Sequence, residues 1–220
     1  MAAAGIGLFQ AIEDGNVAGV SFLVSGYEGD AGVMEKALLL AVRKDQMGCF
    51  RALMNREDRG VLFCPPSLIP GARKAYLLAG ELLKGAFVEE LLRCRYLTEP
   101  VENEHFLAAF LDHTRVLAGA VNARCERVAL AVLSERIVGD KKGQIDLEIA
   151  FSSFVQAAEK GLALVVRRMK MRVWNIPLPV INAGLRRAAM GGQRAVVKAM
   201  LSWPEIKTQL APGSSGSRAV

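Results

Sequence analysis

The sequence predicts an all-α fold in which helical hairpins stack in a row. Three observations predict it. A fourteen-residue plan recurs along the chain. The apolar content is 52% but only 6% is aromatic, so it is mostly Ala, Val and Leu, which suits close helix packing. β-branched or aromatic runs of strand length are scarce.

The plan begins with a small residue, turns about four residues later, and continues as a short helix ending in two large apolar residues. The first copy is Ala11–Val24, AIEDGNVAGVSFLV. The second is Ala41–Met54 and the third Ala79–Leu92. Ala157–Lys170 follows, ending in Lys, and AAMGGQRAVVKAML spans Ala188–Leu201. Gly15, Gly161 and Gly192 share the turn position, with Asp45 and Leu83 there in the other copies. A residue that ends a helix often needs left-handed backbone, which suits glycine. In the second helices Val20, Phe50, Val88, Val166 and Val197 align, as do Leu23, Leu53, Leu91, Met169 and Met200. Three residues separate the two rows, which puts them on one helical face.

The middle of the chain fits the plan in two overlapping registers. One is anchored at Ala108 with a turn at Asp112-His113-Thr114, the other at Ala120. The first offers the better turn and is preferred. Either choice leaves one extra helix, near 99–112 or 125–138. Segments 25–32, 55–73, 138–144 and 173–180 are rich in turn formers and read as linkers. The long 55–73 segment is expected to pack over the row through Val61, Leu62 and Phe63. Residues 1–204 form one repeat domain and 205–220 a flexible tail.

Anchors about 30–50 residues apart indicate a solenoid of about six hairpins. The pattern Ala-Ala-x-x-Gly-x-x-x-Val-Val-x-x-Leu-Leu resembles the second half of an ankyrin repeat. His113 stands where such repeats often carry a histidine. No copy has the Thr-Pro-Leu-His opening of that family; the matching positions read Gly7-Leu8-Phe9 and Gly184-Leu185-Arg186. The resemblance implies a non-enzymatic protein–protein interaction module, an adaptor or inhibitor. Small arrays of this degenerate kind are similar to bacterial effectors that enter a host cell without a cleaved signal and occupy a host protein.

Charge is placed unevenly. The net charge is +6, yet residues from Ala157 onward carry about +9 and the rest about −3. The cluster Arg167, Arg168, Lys170 and Arg172, with Arg186, Arg187, Arg194 and Lys198, is expected to gather at one end as a docking surface for an acidic protein. A solvated terminal cap is the competing reading. An anionic membrane surface is a further candidate. Nucleic acid is the weaker one, because exposed aromatics are not interleaved with the cations. From the resemblance, the exposed sides of the first helices imply Arg43, Lys44, Arg73, Lys74, Arg186 and Arg187 as partner contacts.

No cofactor, metal or catalytic site is expected. His105 and His113 lack companions at a metal-ligand spacing and read as structural. A Cys125–His113 thiol–imidazole pair lacks an orienting group. The turn Gly139–Gln144 lacks phosphate-loop spacing. Glu89-Glu90 and Glu102-Glu104 read as solvated acids. Trp174 and Trp203 are expected to cap the core between the last repeats. Dispersed Cys49, Cys64, Cys94 and Cys125 fit a reducing, cytoplasmic compartment. No apolar run approaches the roughly 20 residues of a membrane span, and no secretory signal is expected. The alternative functions are an enzyme with a concealed site near 55–73 or the extra mid-chain helix, and a scaffold that self-associates through its ends.

Overall fold

A computed structural model describes residues 2–25, 30–54, 69–93, 103–134, 146–172 and 176–210. Among these residues the chain is entirely helical, with thirteen helices. They are α1 (Ala2–Glu13), α2 (Val17–Ser25), α3 (Ala31–Arg43), α4 (Met47–Met54), α5 (Ile69–Glu81) and α6 (Gly85–Leu92). Then come α7 (Asn103–Asn122), α8 (Glu126–Ser134), α9 (Leu147–Glu159), α10 (Ala163–Arg172), α11 (Leu178–Met190), α12 (Arg194–Leu201) and α13 (Pro204–Leu210).

The first twelve helices pair into hairpins, and neighbouring hairpins touch in a fixed pattern. First helices contact first helices in the order α1, α3, α5, α7, α9, α11. Among second helices, α2 contacts α4, and α6, α8, α10 and α12 contact in series. α13 packs on α12 at the C-terminal end.

Every hairpin turn is built alike. Gly15, Asp45, Leu83, Arg124, Gly161 and Gly192 all have φ between 56° and 80°. At each one, the next residue's amide donates to the carbonyl five residues before it. Asn16 donates to Ala11 at 2.8 Å, Lys84 to Ala79 at 2.8 Å, Cys125 to Ala120 at 2.8 Å and Gln193 to Ala188 at 2.8 Å. The left-handed residue itself donates three residues back, as Gly192 does to Ala189 at 3.1 Å. These two bonds satisfy carbonyls that a helix end leaves open. Asn16 caps the next helix as well, its Oδ1 accepting from the Gly19 amide at 2.9 Å.

This geometry settles the mid-chain register. The fourth turn is at Arg124, so the anchor is Ala120. The preferred Ala108 register is wrong: Asp112-His113-Thr114 lies inside α7, which runs unbroken to Asn122. Among the described residues, the surplus ones from Asn103 onward lengthen a first helix. Three linkers are also shorter than expected, because α3 starts at Ala31, α5 at Ile69 and α11 at Leu178. Part of the stretch read as tail is helical, with Ile206 of α13 buried against the core. Trp203 packs its ring 6.1 Å from Phe154, whereas Trp174, Cys64, Cys94 and the 55–68 packing residues Val61, Leu62 and Phe63 lie outside the described residues.

The core is a continuous strip along the row. The anchors Ala41, Ala79, Ala120, Ala157 and Ala188 are fully buried. Small residues let the first helices approach: a Cβ on Gly80 would sit 2.7 Å from both Val116 methyls. Aromatic contacts close the seams, with Phe50 edge-on to Phe87 at 5.2 Å and Tyr76 edge-on to His113 at 4.9 Å.

Candidate interaction surface

The hairpin plan decides which charges face outward and which hold the row together. Near the turns, a cation of a later hairpin reaches back to the C-terminal end of the preceding first helix. Lys44 Nζ lies 3.2 Å from Glu13. Lys84 Nζ donates to the carbonyls of Val42 (2.7 Å) and Arg43 (3.1 Å) and lies 3.4 Å from Asp45. Lys160 Nζ donates to the Asn122 carbonyl at 2.7 Å, and Arg187 lies 3.6 Å from Glu159. A cation at the C-terminal end of a helix meets the negative end of its dipole and its open carbonyls.

Several cations expected on a partner surface are therefore engaged within the row. Lys44 and Arg187 serve as just described. Lys74 pairs with Glu35 at 2.6 Å. Lys170 pairs with Glu205 of α13 at 2.6 Å and lies 5.8 Å from the Trp203 ring centroid, so it fastens the C-terminal helix. That bond holds the Glu205 carboxyl below its usual pKa. Arg172 donates to the Ser134 carbonyl at 3.2 Å. Arg73 is half-buried, and its charge reaches His113.

The remaining cations divide between two sides. Arg43 and Arg186 are exposed on first helices, α3 and α11. Arg167 and Arg168 of α10 and Arg194 and Lys198 of α12 are exposed on two second helices that contact each other. Among the described residues these six side chains form no ion pair or hydrogen bond. The α10–α12 face also shows Leu164, 53% exposed, and Met171, 67% exposed. Four of the free cations thus lie on the second helices of the last two hairpins, and Arg186 lies on a first helix.

Among the described residues, Glu89, Glu90 and His113 hold structural positions. Glu90, read as solvated, is buried: its Oε1 accepts from Arg51 Nε at 2.9 Å and its Oε2 from Arg51 Nη2 at 3.1 Å. Arg93 adds a third bond at 3.2 Å. Such a bidentate pair is among the stronger polar contacts, and it ties α4 to α6 across the long 55–68 insertion. Its sequence signal was weak, since an acid in a charged helix usually faces water. Glu89, one residue before it, is held below its usual pKa by the guanidinium of Arg127, 2.9 Å away.

His113 is buried, with Nδ1 2.6 Å from Tyr76 Oη. Burial, with a lesser contribution from Arg73, lowers its pKa to about 4. The helix runs on from His113 to Asn122, about 14 Å along its axis by helical rise, and Cys125 lies beyond it after the turn, so it forms no thiol–imidazole pair. The side chains of His105 and Glu104, and residues Glu102 and Gly139–Gln144, lie outside what is described. Among the described residues, no three His, Cys, Asp or Glu are grouped to hold a metal ion. None of the described helices is long and apolar enough to cross a membrane. No protein-family model, curated protein or solved structure matches the chain.

Proposed function

We propose that this protein is a non-enzymatic interaction module whose docking surface is the second-helix face of α10 and α12. One observation carries the reading. The hairpin seams consume most neighbouring cations, yet Arg167, Arg168, Arg194 and Lys198 stand exposed without partners among the described residues, beside exposed Leu164 and Met171. Apolar side chains ringed by one sign of charge suit a protein surface of opposite charge. The solenoid reading rests on the six equivalent turns and the two files of helix contacts. The ankyrin-like reading adds the Ala-Ala-x-x-Gly pattern at the C-terminal copy. An adaptor or inhibitor needs such a fixed face and no pocket.

The test is affinity capture from nuclease-treated lysate with wild type and an Arg167→Glu/Lys198→Glu variant whose helicity is confirmed by circular dichroism. Capture of an acidic protein by wild type, lost in the variant but kept in Arg186→Glu, supports the reading. Equal capture by all three places the docking surface elsewhere.

A further inference from the structure

The two ends of the row differ in apolar exposure and in charge. In the second helices, one position repeatedly faces the preceding hairpin. It is occupied by Glu90, Ala131 and Ala199, all at most 8% exposed, by half-buried Ala52, and by Arg168, which stands exposed. The equivalent residue of the first hairpin is Phe22, and it is 80% exposed. A first-helix position behaves the same way. Gly184 there faces Phe154 so closely that a Cβ would lie 3.0 Å from the ring. Its equivalent, Gly7, is exposed and would meet only Leu23 of its own hairpin, at 3.9 Å. Ile6, beside it, is 69% exposed. At the first-helix position the equivalents Ala37, Ala75, Val116, Ser153 and Gly184 are all buried, and only at Gly7 is that surface uncovered.

Charge says what fits it. The first hairpin, residues 2–25, carries Glu13 and Asp14 and no Lys or Arg; Glu13 is paired with Lys44 of the next hairpin, and Asp14 has no cation against it among the described residues. At seam positions where Lys44 and Lys160 supply a cation, the first hairpin has Asp14. A copy of the same hairpin, acidic itself, would be repelled. The occupant must be apolar and basic. Among the described residues the face that brings two exposed apolar side chains together with four unpaired cations is that of Leu164 and Met171 with Arg167 and Arg168 on α10, joined by Arg194 and Lys198.

We infer that copies of this chain associate head to tail, the acidic N-terminal hairpin of one seating Phe22 and Ile6 against the basic α10–α12 face of the next. This rests on the proposed docking face and names a second copy as a partner for it. The contact is heterologous, so it propagates beyond a pair, and opposite charge makes it salt-sensitive.

The experiment is sedimentation velocity on purified protein over a wide concentration range, with Phe22→Glu, Met171→Glu and their equimolar mixture. Both substituted residues are exposed, and circular dichroism confirms folding. Wild type should rise from the 23.7 kDa chain mass through two chains and beyond, and fall back in high salt. Each variant should remain a single chain. The mixture should form pairs and stop there, because one variant keeps an intact head and the other an intact tail. Wild type that stays a single chain throughout overturns the inference. So does loss in Phe22→Glu alone without rescue on mixing, which means a head-to-head contact. Either failure concerns purified protein only, so an acidic partner captured from lysate through Arg167 and Lys198 would still stand.

Discussion

Gly192 and Arg124 occupy the same turn position with φ of 68° and 57°, so exchanging glycine for a side-chain residue should have opposite effects at the two sites. A Cβ on Gly192 would meet nothing within 4 Å, which leaves backbone conformation as the only native-state term for Gly192→Ala. Left-handed backbone costs an L-residue about 1–2 kcal/mol. The reduced freedom of the unfolded chain returns about 0.4–1 kcal/mol. The net expectation is a loss of about 1 kcal/mol. At Arg124 the side chain is exposed and unpartnered among the described residues, so Arg124→Gly should gain about the same amount, less any solvent-side packing of the Arg stem. Urea unfolding with an unchanged slope measures Arg124→Gly, which lies mid-row. Hairpins at the end of a row open separately. Amide exchange at Gln193, whose N–H donates to the Ala188 carbonyl, therefore reads Gly192→Ala best, and it should quicken about fivefold. If Gly192→Ala leaves exchange unchanged, or Arg124→Gly lowers stability, the left-handed turn is not what limits these hairpins.

Three further outcomes follow from buried polar groups. His113 has its pKa lowered to about 4 from 6.5, so the unfolded chain binds the proton first as pH falls. Stability contributed by neutral His113 is complete above pH 6.5 and is lost on acidification toward pH 4, by roughly 3 kcal/mol. His113→Phe should remove that slope, and urea midpoints for both proteins at several pH values in this window would reveal parallel curves if the idea is wrong. Arg51→Ala should destabilise by about 1–2 kcal/mol, because it strips two bonds from buried Glu90 while Arg51 itself is half in water; a double-mutant cycle with Glu90→Gln should return a coupling of that order. Ser153 Oγ is buried and meets no hydrogen-bond partner, so Ser153→Ala should stabilise by about 1 kcal/mol in thermal unfolding, whereas a loss would reveal an unseen bond.

The hairpins were legible because one device repeats. Three of the six turns carry glycine, and the rest are found by their spacing from a buried Ala. Arg124 hid the fourth. Arginine carries no turn signal, and Asp112-His113-Thr114 looked like a better break than an Ala-rich helix running through it. Burial of His113 and Thr114 against the neighbouring hairpin outweighed local turn preference there. Basic residues were legible as a cluster, but their faces were not. Arg186 and Arg187 are adjacent in sequence, yet one stands free while the other reaches Glu159. Only the offset between neighbouring hairpins decides that, and a single sequence gives no measure of the offset. Glu90 was unreadable for the same reason: its partner Arg51 lies 39 residues away, across a segment of irregular length.

The ties near the turns share a direction. In each, the donor belongs to the later hairpin and the acceptor to the earlier: Lys44 to Glu13, Lys84 to Val42 and Arg43, Lys160 to Asn122, Arg187 to Glu159. A chain leaving the ribosome therefore completes each acceptor before the matching donor is made. Every new hairpin can lock onto a finished one, and nothing near these turns waits for residues not yet synthesised. Shortening from the C-terminus removes donors and leaves the earlier ties whole. Shortening from the N-terminus strands a cation at the new edge. The row is thus suited to growth by addition at one end, and it is Phe22, at the oldest end, that is left showing.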